Sequence, residues 1–176
     1  MNIYDILIHP DPRLKKATEI MKAPIDDLHK IIDRMFETMY DAPGIGLAAP
    51  QVGIMERLFV MDAVREGTPD PIVMINPEIT WGSDAKNVYE EGCLSIPGIY
   101  EDVERPEIVR IKYIDLNFKL REEEFDGLYA TCAQHELDHL DGKLFIDYLS
   151  PLKRQMITKK MKKLKRDEAG SKTREA

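Results

Sequence analysis

Between residues 25 and 40 the apolar positions Leu28, Ile31, Ile32, Met35, Phe36 and Met39 recur at i, i+3, i+4 and i+7. That period predicts an amphipathic helix from about Ile25 to Tyr40 with one buried face. Asp26 and Asp27 suit its positive N-terminal end, and Pro43 and Gly44 follow its finish. Farther on the period changes. Val109, Ile111 and Tyr113 alternate with Arg110 and Lys112, as in a half-exposed strand over Ile108 to Leu116. Shorter stretches of strand character run over Leu58 to Met61, Ile72 to Ile79 and Asn87 to Glu90. A second helix is expected from Asp126-Gly127 to Leu140, with Gly142 just past its end. A third starts with Ser150 as its cap and Pro151 at the first helical position. Strands and helices that do not alternate regularly predict an α+β domain.

Composition narrows the class. A chain of 176 residues fits one domain with a single core. Its 43% hydrophobic and 32% charged residues suit a soluble globular protein. A formal charge of −7 argues against a surface devoted to nucleic acid, and no DNA partner is expected. The start, MNIYDILIHPDPRLKK, lacks the basic flank and apolar run of a signal peptide. No stretch reaches the roughly 18 consecutive apolar residues of a membrane helix, so no membrane partner is expected either. Two cysteines, Cys93 and Cys132, make no disulfide framework. The expected location is cytoplasmic, with both thiols reduced.

The chemistry concentrates in QHELDHLDGKLF, Gln134 to Phe145. On a helix His135 and His139 lie on one face about 5–6 Å apart, close enough to share one cation. Glu136 is offset by about 100° and could flank that ion and work on water. The longer protease signature HExxHxxGxxH is met at Gly142 but fails at Phe145, where it needs a third histidine. Among downstream acids, Asp167, Glu168 and Glu175 lie in or beside a lysine-rich tail, and Asp141 and Asp147 have no supporting pattern. Upstream, Cys93 in EEGCLSIPG offers a thiolate beside Gly92. Cys93, His135 and His139 would leave a fourth position open for water, as a catalytic site requires. One competitor stays open: Cys132 lies one turn before His135, and a closed Cys93/Cys132/His135/His139 set would be structural and inert.

Three segments, GIGLAAPQ (Gly44 to Gln51), EGCLS (Glu91 to Ser95) and QHELDHLDG (Gln134 to Gly142), together resemble the peptide deformylase family. HPDPRL near the start and SPL at Ser150 also look like it, so the resemblance spans essentially the whole chain. It departs at Leu116-Asn117, where the family often has Asp-Gly in the hairpin before the metal helix. The resemblance implies small antiparallel or mixed sheets around a central HExxH helix, with an N-terminal and a C-terminal helix. It implies a metal held by Cys93, His135 and His139, with Cys132 a wall residue rather than a ligand. The physiological ion would be Fe(II), with Zn(II), Ni(II) or Co(II) able to substitute. The reaction would be hydrolysis of the N-formyl group from the initiator methionine of new polypeptides. Glu136 would then move the proton, while the Gln51 amide and the Leu94 backbone N–H would donate to the oxyanion. Gly44, Gly46 and Gly92 would let the substrate backbone approach, and Ile45, Leu128, Cys132 and Tyr100 are candidates to line the methionine pocket. Glu91 and Arg105 are a candidate brace for the Cys93 loop, with an unrelated surface pair as the alternative.

Residues 153–166 hold eight Lys or Arg and no acid, so removing that +8 from −7 leaves −15 for the rest. The chain therefore divides, as an expectation, into a catalytic domain over 1–150 and a basic C-terminal helix and tail over 151–176. Met156, Ile157, Met161 and Leu164 form its apolar stripe, interrupted by Lys160. Contact with ribosomal RNA is the sharper expectation for such a helix and a solvated helix end the plainer one. For the whole protein the alternatives are a zinc endopeptidase and a non-enzymatic metal module.

Overall fold

The computed structural model describes residues 2–174, with the Arg174 side chain left out of account. Glu175 and the end of the basic tail lie outside the described residues. Among the described residues there are three α-helices, α1 (Leu28–Asp41), α2 (Gly127–Leu140) and α3 (Pro151–Arg174), with seven strands. Strands β1 (Gly46–Ala48), β2 (Leu58–Met61), β3 (Ile72–Gly82), β6 (Val109–Ile114) and β7 (Leu120–Phe125) form one antiparallel sheet in the order β1-β2-β3-β6-β7. Strands β4 (Lys86–Cys93) and β5 (Ile96–Pro106) form a separate two-stranded sheet. The α+β expectation holds, and the helix with the paired histidines lies at the centre.

Helices cover both faces of the larger sheet, and the alternation along β2 divides them. Leu58 and Val60 point to one side, where Leu28, Ile32, Met35 and Met39 of α1 meet them. Phe59 and Met61 point to the other, against Ala130, Ala133, Leu137 and Leu140 of α2. Small alanines on α2 let the helix approach the sheet closely. A third cluster joins Ile96 and Val103 of β5 to Leu144, Phe145 and Ile146 after α2, and to Ile157 and Met161 of α3.

Several boundaries differ from expectation. Helix α1 begins at Leu28 rather than Ile25 because Asp27 takes φ 58°, a left-handed conformation that cannot continue a helix backwards. Strand β4 runs to Cys93, past the expected Glu90, and β5 was not expected at all. IPGIYEDVERP has two prolines, a glycine and four charged residues, so its strand character comes from pairing with β4 over the full hairpin. The charged β7, LREEEF, is an edge strand and needs little apolar content. At the start of α3, Ser150 Oγ accepts from Lys153 N at 3.3 Å, the capping expected of it. On the stripe of α3, Ile157 and Met161 are buried and Leu164 half-buried, but Met156 is exposed.

Candidate metal centre

Helix α2 and the tight end of the β4–β5 hairpin bring the chemistry together. Eleven of the fourteen α2 residues are buried, including Gln134, His135, Glu136 and His139. Polar groups so placed are costly unless partnered, so their partners define the site. His135 Nδ1 lies 2.8 Å from Glu91 Oε1. Taken as the donor, it leaves Nε2 as a free lone pair directed at the other ligand atoms. His139 Nε2 is 3.2 Å from His135 Nε2, and Cys93 Sγ is 3.3 Å from His139 Nε2. Burial, reinforced by His135, holds His139 well below the usual histidine range, which keeps it neutral and able to ligate.

Among the described residues, Cys93, His135 and His139 are the group of His, Cys, Asp and Glu side chains whose ligand atoms all fall within 4.8 Å of one another. Nitrogens about 2.0–2.1 Å from a tetrahedral ion stand about 3.4 Å apart, so this spacing fits a cation. The imidazole and thiolate donors suit a borderline transition metal better than Mg or Ca.

The competing ligands are accounted for. Cys132 is buried and its thiol points to the Ile45 carbonyl at 3.6 Å, and burial first, then Glu136 and Glu91, push that thiol well up. Asp141 is paired with Arg57 at 2.8 Å and Asp147 with Lys15 at 2.8 Å. Asp167 and Glu168 lie on the exposed part of α3. Phe145, at the position of the missing third histidine, is a core residue whose ring stacks on that of His135 at 6.1 Å. It packs against a candidate ligand instead of being one.

Glu136 is the other candidate group. Its Oε2 is buried and has no hydrogen-bond partner. Burial pushes its carboxyl up to about 7 against the opposing pull of His135. A Cβ on Gly46 would come within 2.6 Å of Glu136 Oε1 and 2.8 Å of Cys132 Sγ, so β1 can pass this close only as glycine. Gln51 is also buried. Its Oε1 accepts from Ala48 N at 2.9 Å, while Nε2 donates to Ser95 Oγ at 3.1 Å and to Cys93 Sγ at 3.6 Å. The amide thus sits beside the thiol, tying the loop of β1 to the hairpin.

A cavity of about 650 Å³ opens onto these groups. Its lining includes Gly44, Ile45, Gly46, Gln51, Gly92, Cys93, Leu94, Tyr100, Leu128, Cys132, His135 and Glu136. Every candidate catalytic, ligand and pocket residue singled out from the sequence is there except His139, which lies behind, 1% exposed. A Cβ on Gly92 would meet the Tyr100 ring at 2.5 Å, and one on Gly44 the Leu94 side chain at 2.8 Å, so two glycines shape the mouth by close contact. Sequence reasoning missed Pro97, Gly98, Ile99 and Thr131 on the wall. The first three belong to β5, the strand whose pattern is hidden by its prolines and charges. The candidate brace is real: Arg105 Nε and Nη2 donate to Glu91 at 2.7 and 2.9 Å.

Comparison with known proteins shows the family. The family described as Polypeptide deformylase matches residues 3–155. A peptide deformylase of Rhodopseudomonas palustris (strain BisB5) is 54% identical over 166 residues, covering 93% of this chain and 95% of that one. One from Mesorhizobium japonicum is 53% identical over 173 residues, covering 98% of each. The crystal structure of a peptide deformylase from Legionella pneumophila superposes with a TM-score of 0.87 at 47% identity, covering 95% of this chain and 98% of the other.

Proposed function

Because the chain belongs to the polypeptide deformylase family, metal-dependent hydrolases that remove the N-formyl group from newly made peptides, we propose that Cys93, His135 and His139 hold one Fe(II) ion per chain and that Glu136 moves the proton. Zn(II), Ni(II) or Co(II) would fit the same ligands. The carrying observation is the convergence of three ligand atoms within 4.8 Å beside a buried carboxylate oxygen that has no partner. A divalent cation in that position supplies Lewis acidity, lowering the pKa of water and polarising the formyl carbonyl.

The chain's own residues do the rest. Glu136 accepts a proton from the attacking water and returns it to the departing amine, a role suited to a carboxyl near neutral pKa. The Gln51 amide and the Leu94 backbone N–H donate to the oxygen that becomes negative, and losing one such donor typically costs about 2.7–4 kcal/mol of activation free energy. Gln51 must then exchange its contact with Cys93 or Ser95 for the substrate, which a side chain already beside the thiol does with little movement. Ile45, Leu128, Cys132 and Tyr100 receive the methionine side chain, and Gly44, Gly46 and Gly92 leave room for its backbone.

Anaerobic purification with elemental analysis, followed by formate release from formyl-Met-Ala-Ser, tests this reading. One metal per chain, formate from the formyl peptide and none from the acetylated analogue is the expected result. A Cys93→Ala protein that still binds one metal and turns over would overturn the ligand set.

Residues 1–150 carry this activity, and residues 151–176 are a basic appendage that docks on ribosomal RNA in the cytoplasm, near the emerging chains. The appendage has eight cations and no acid over residues 153–166, and no helix among the described residues is long and apolar enough to cross a membrane. Deleting the tail should abolish salt-dependent ribosome binding; unchanged binding would sink the docking role.

A further inference from the structure

The brace on His135 does not end at Arg105. Its Nη1 donates to Asp138 Oδ2 at 2.8 Å, and Asp138 stands on α2 between the two histidines. The Tyr148 hydroxyl donates to the same oxygen at 2.8 Å, and the Tyr148 ring lies under the guanidinium, 4.9 Å from centroid to Cζ. Burial and Asp138 push the Tyr148 hydroxyl up to about 12, so it remains a donor. The contacts close a ring: His135 on α2, Glu91 on β4, Arg105 on β5, Asp138 on α2 again. Tyr148 seals it from the segment after the helix.

Two physical consequences follow. The first is mechanical. The ligand triangle has two corners on α2 and one on the β4–β5 hairpin, and these elements otherwise share few contacts. Arg105, 5% exposed, grips a carboxylate on each side, so the ring, beside the single bond from Gln134 Nε2 to the Pro106 carbonyl at 3.0 Å, holds Cys93 against the histidines through charged groups. The second is electrostatic. Arg105 alone would cancel the charge of Glu91, leaving little for His135. A second carboxylate makes the group Glu91, Arg105 and Asp138 net negative, so Glu91 keeps its pull on the His135 Nδ1 proton and Nε2 stays a better donor.

We propose that Asp138 and Tyr148 are positioning residues that lock the hairpin carrying Cys93 onto the helix carrying His135 and His139, and so set how long the site retains its cation. Neither residue lines the cavity, so neither touches substrate. This inference rests on the ligand set proposed above.

The test uses full-length protein loaded with Ni(II) and challenged with a chromogenic chelator in excess. Tyr148→Phe removes one hydroxyl from a half-exposed ring and leaves the fold intact. Asp138→Asn keeps the shape and removes the charge. Both should release Ni(II) faster than wild type, Asp138→Asn by about ten-fold or more, with KM for formyl-Met-Ala-Ser held within about two-fold. Tyr113→Phe is the control. It breaks a similar pair, Tyr113 to Glu123 at 2.9 Å, outside the cavity, and should leave release unchanged. Release rates equal to wild type in folded Tyr148→Phe and Asp138→Asn overturn the proposal while leaving the ligand set standing. A wild-type protein that takes up no Ni(II), or a Cys93→Ala protein that holds it as tightly, overturns the ligand set and this inference with it.

Discussion

Helices α2 and α3 are both rich in polar residues and have opposite fates. Eleven of fourteen α2 residues are buried, two histidines and a glutamate among them. Along α3, from 151 to 173, only Ile157 and Met161 are buried, and the helix is exposed on all sides beyond Leu164. Solvated lysines cost α3 nothing, so its sequence is free to serve a surface role. Each buried polar group of α2 carries a desolvation cost of about 1–3 kcal/mol when unpaired, which the fold offsets with Glu91, Arg105 and backbone carbonyls. Glu136 Oε2 and His139 Nδ1 remain without partners. The fold tolerates that cost beside the cluster of Cys93, His135 and His139.

Substitutions on the two helices and in β1 against α2 sharpen the contrast. Glu136→Gln should lower kcat by roughly 10²–10⁴-fold, the usual contribution of a positioned acid/base, with metal content unchanged by elemental analysis. Gly46→Ala follows, since its Cβ must displace the Glu136 carboxylate. A shift approaching 1 Å there should cost about 10²-fold in kcat, checked by steady-state kinetics and a crystal structure of the variant.

The pH dependence has a defined sign. Glu136 must be ionised to accept a proton, so kcat/KM should fall as pH drops through its pKa. That carboxyl stands at about 7 without an ion, and a bound cation can only lower it, so the acid limb should have its midpoint at or below 7. Stability of the metal-free protein runs the other way. A carboxyl raised from its ordinary 4.5 to about 7 contributes stability that is full below 4.5 and lost as pH rises through 7. Metal-free Glu136→Gln should therefore melt above metal-free wild type near pH 8 and close to it near pH 5, by calorimetry. A variant that melts lower than wild type at alkaline pH would break the argument.

On α3 the effects are smaller and confined to stability. Met161→Ala opens a cavity where the helix docks and should cost about 2 kcal/mol in urea unfolding, with KM unchanged. Met156→Ala, on the exposed side, should fall within about ±0.5 kcal/mol. An effect from Met156 as large as that from Met161 would mean the helix is covered by something in solution.

Much of this was legible in the chain, and for identifiable reasons. The period of α1 and the alternation of β6 come from one face being buried, and both elements were read within a few residues. Cys93, His135, His139 and Glu136 could be singled out as candidates because ligand chemistry would restrict residue type and helical spacing at once. Strand β5 escaped because its prolines and acids carry no alternating pattern, and with it went Pro97 to Ile99 of the cavity wall. Asp138 and Tyr148 escaped too, since an aspartate at a variable position of HExxH and a tyrosine ten residues later look like ordinary surface residues.

The sequence by itself determined the kinds of group available, the two histidines on one helical face and the family to which they point. Only the tertiary structure decided that Cys93 meets them, that Cys132 does not, that Phe145 backs His135, and that Arg105 joins carboxylates from two elements. The reason is that local order follows from neighbours a few residues apart, whereas a site assembled across 46 residues, from Cys93 to His139, depends on how separate elements pack.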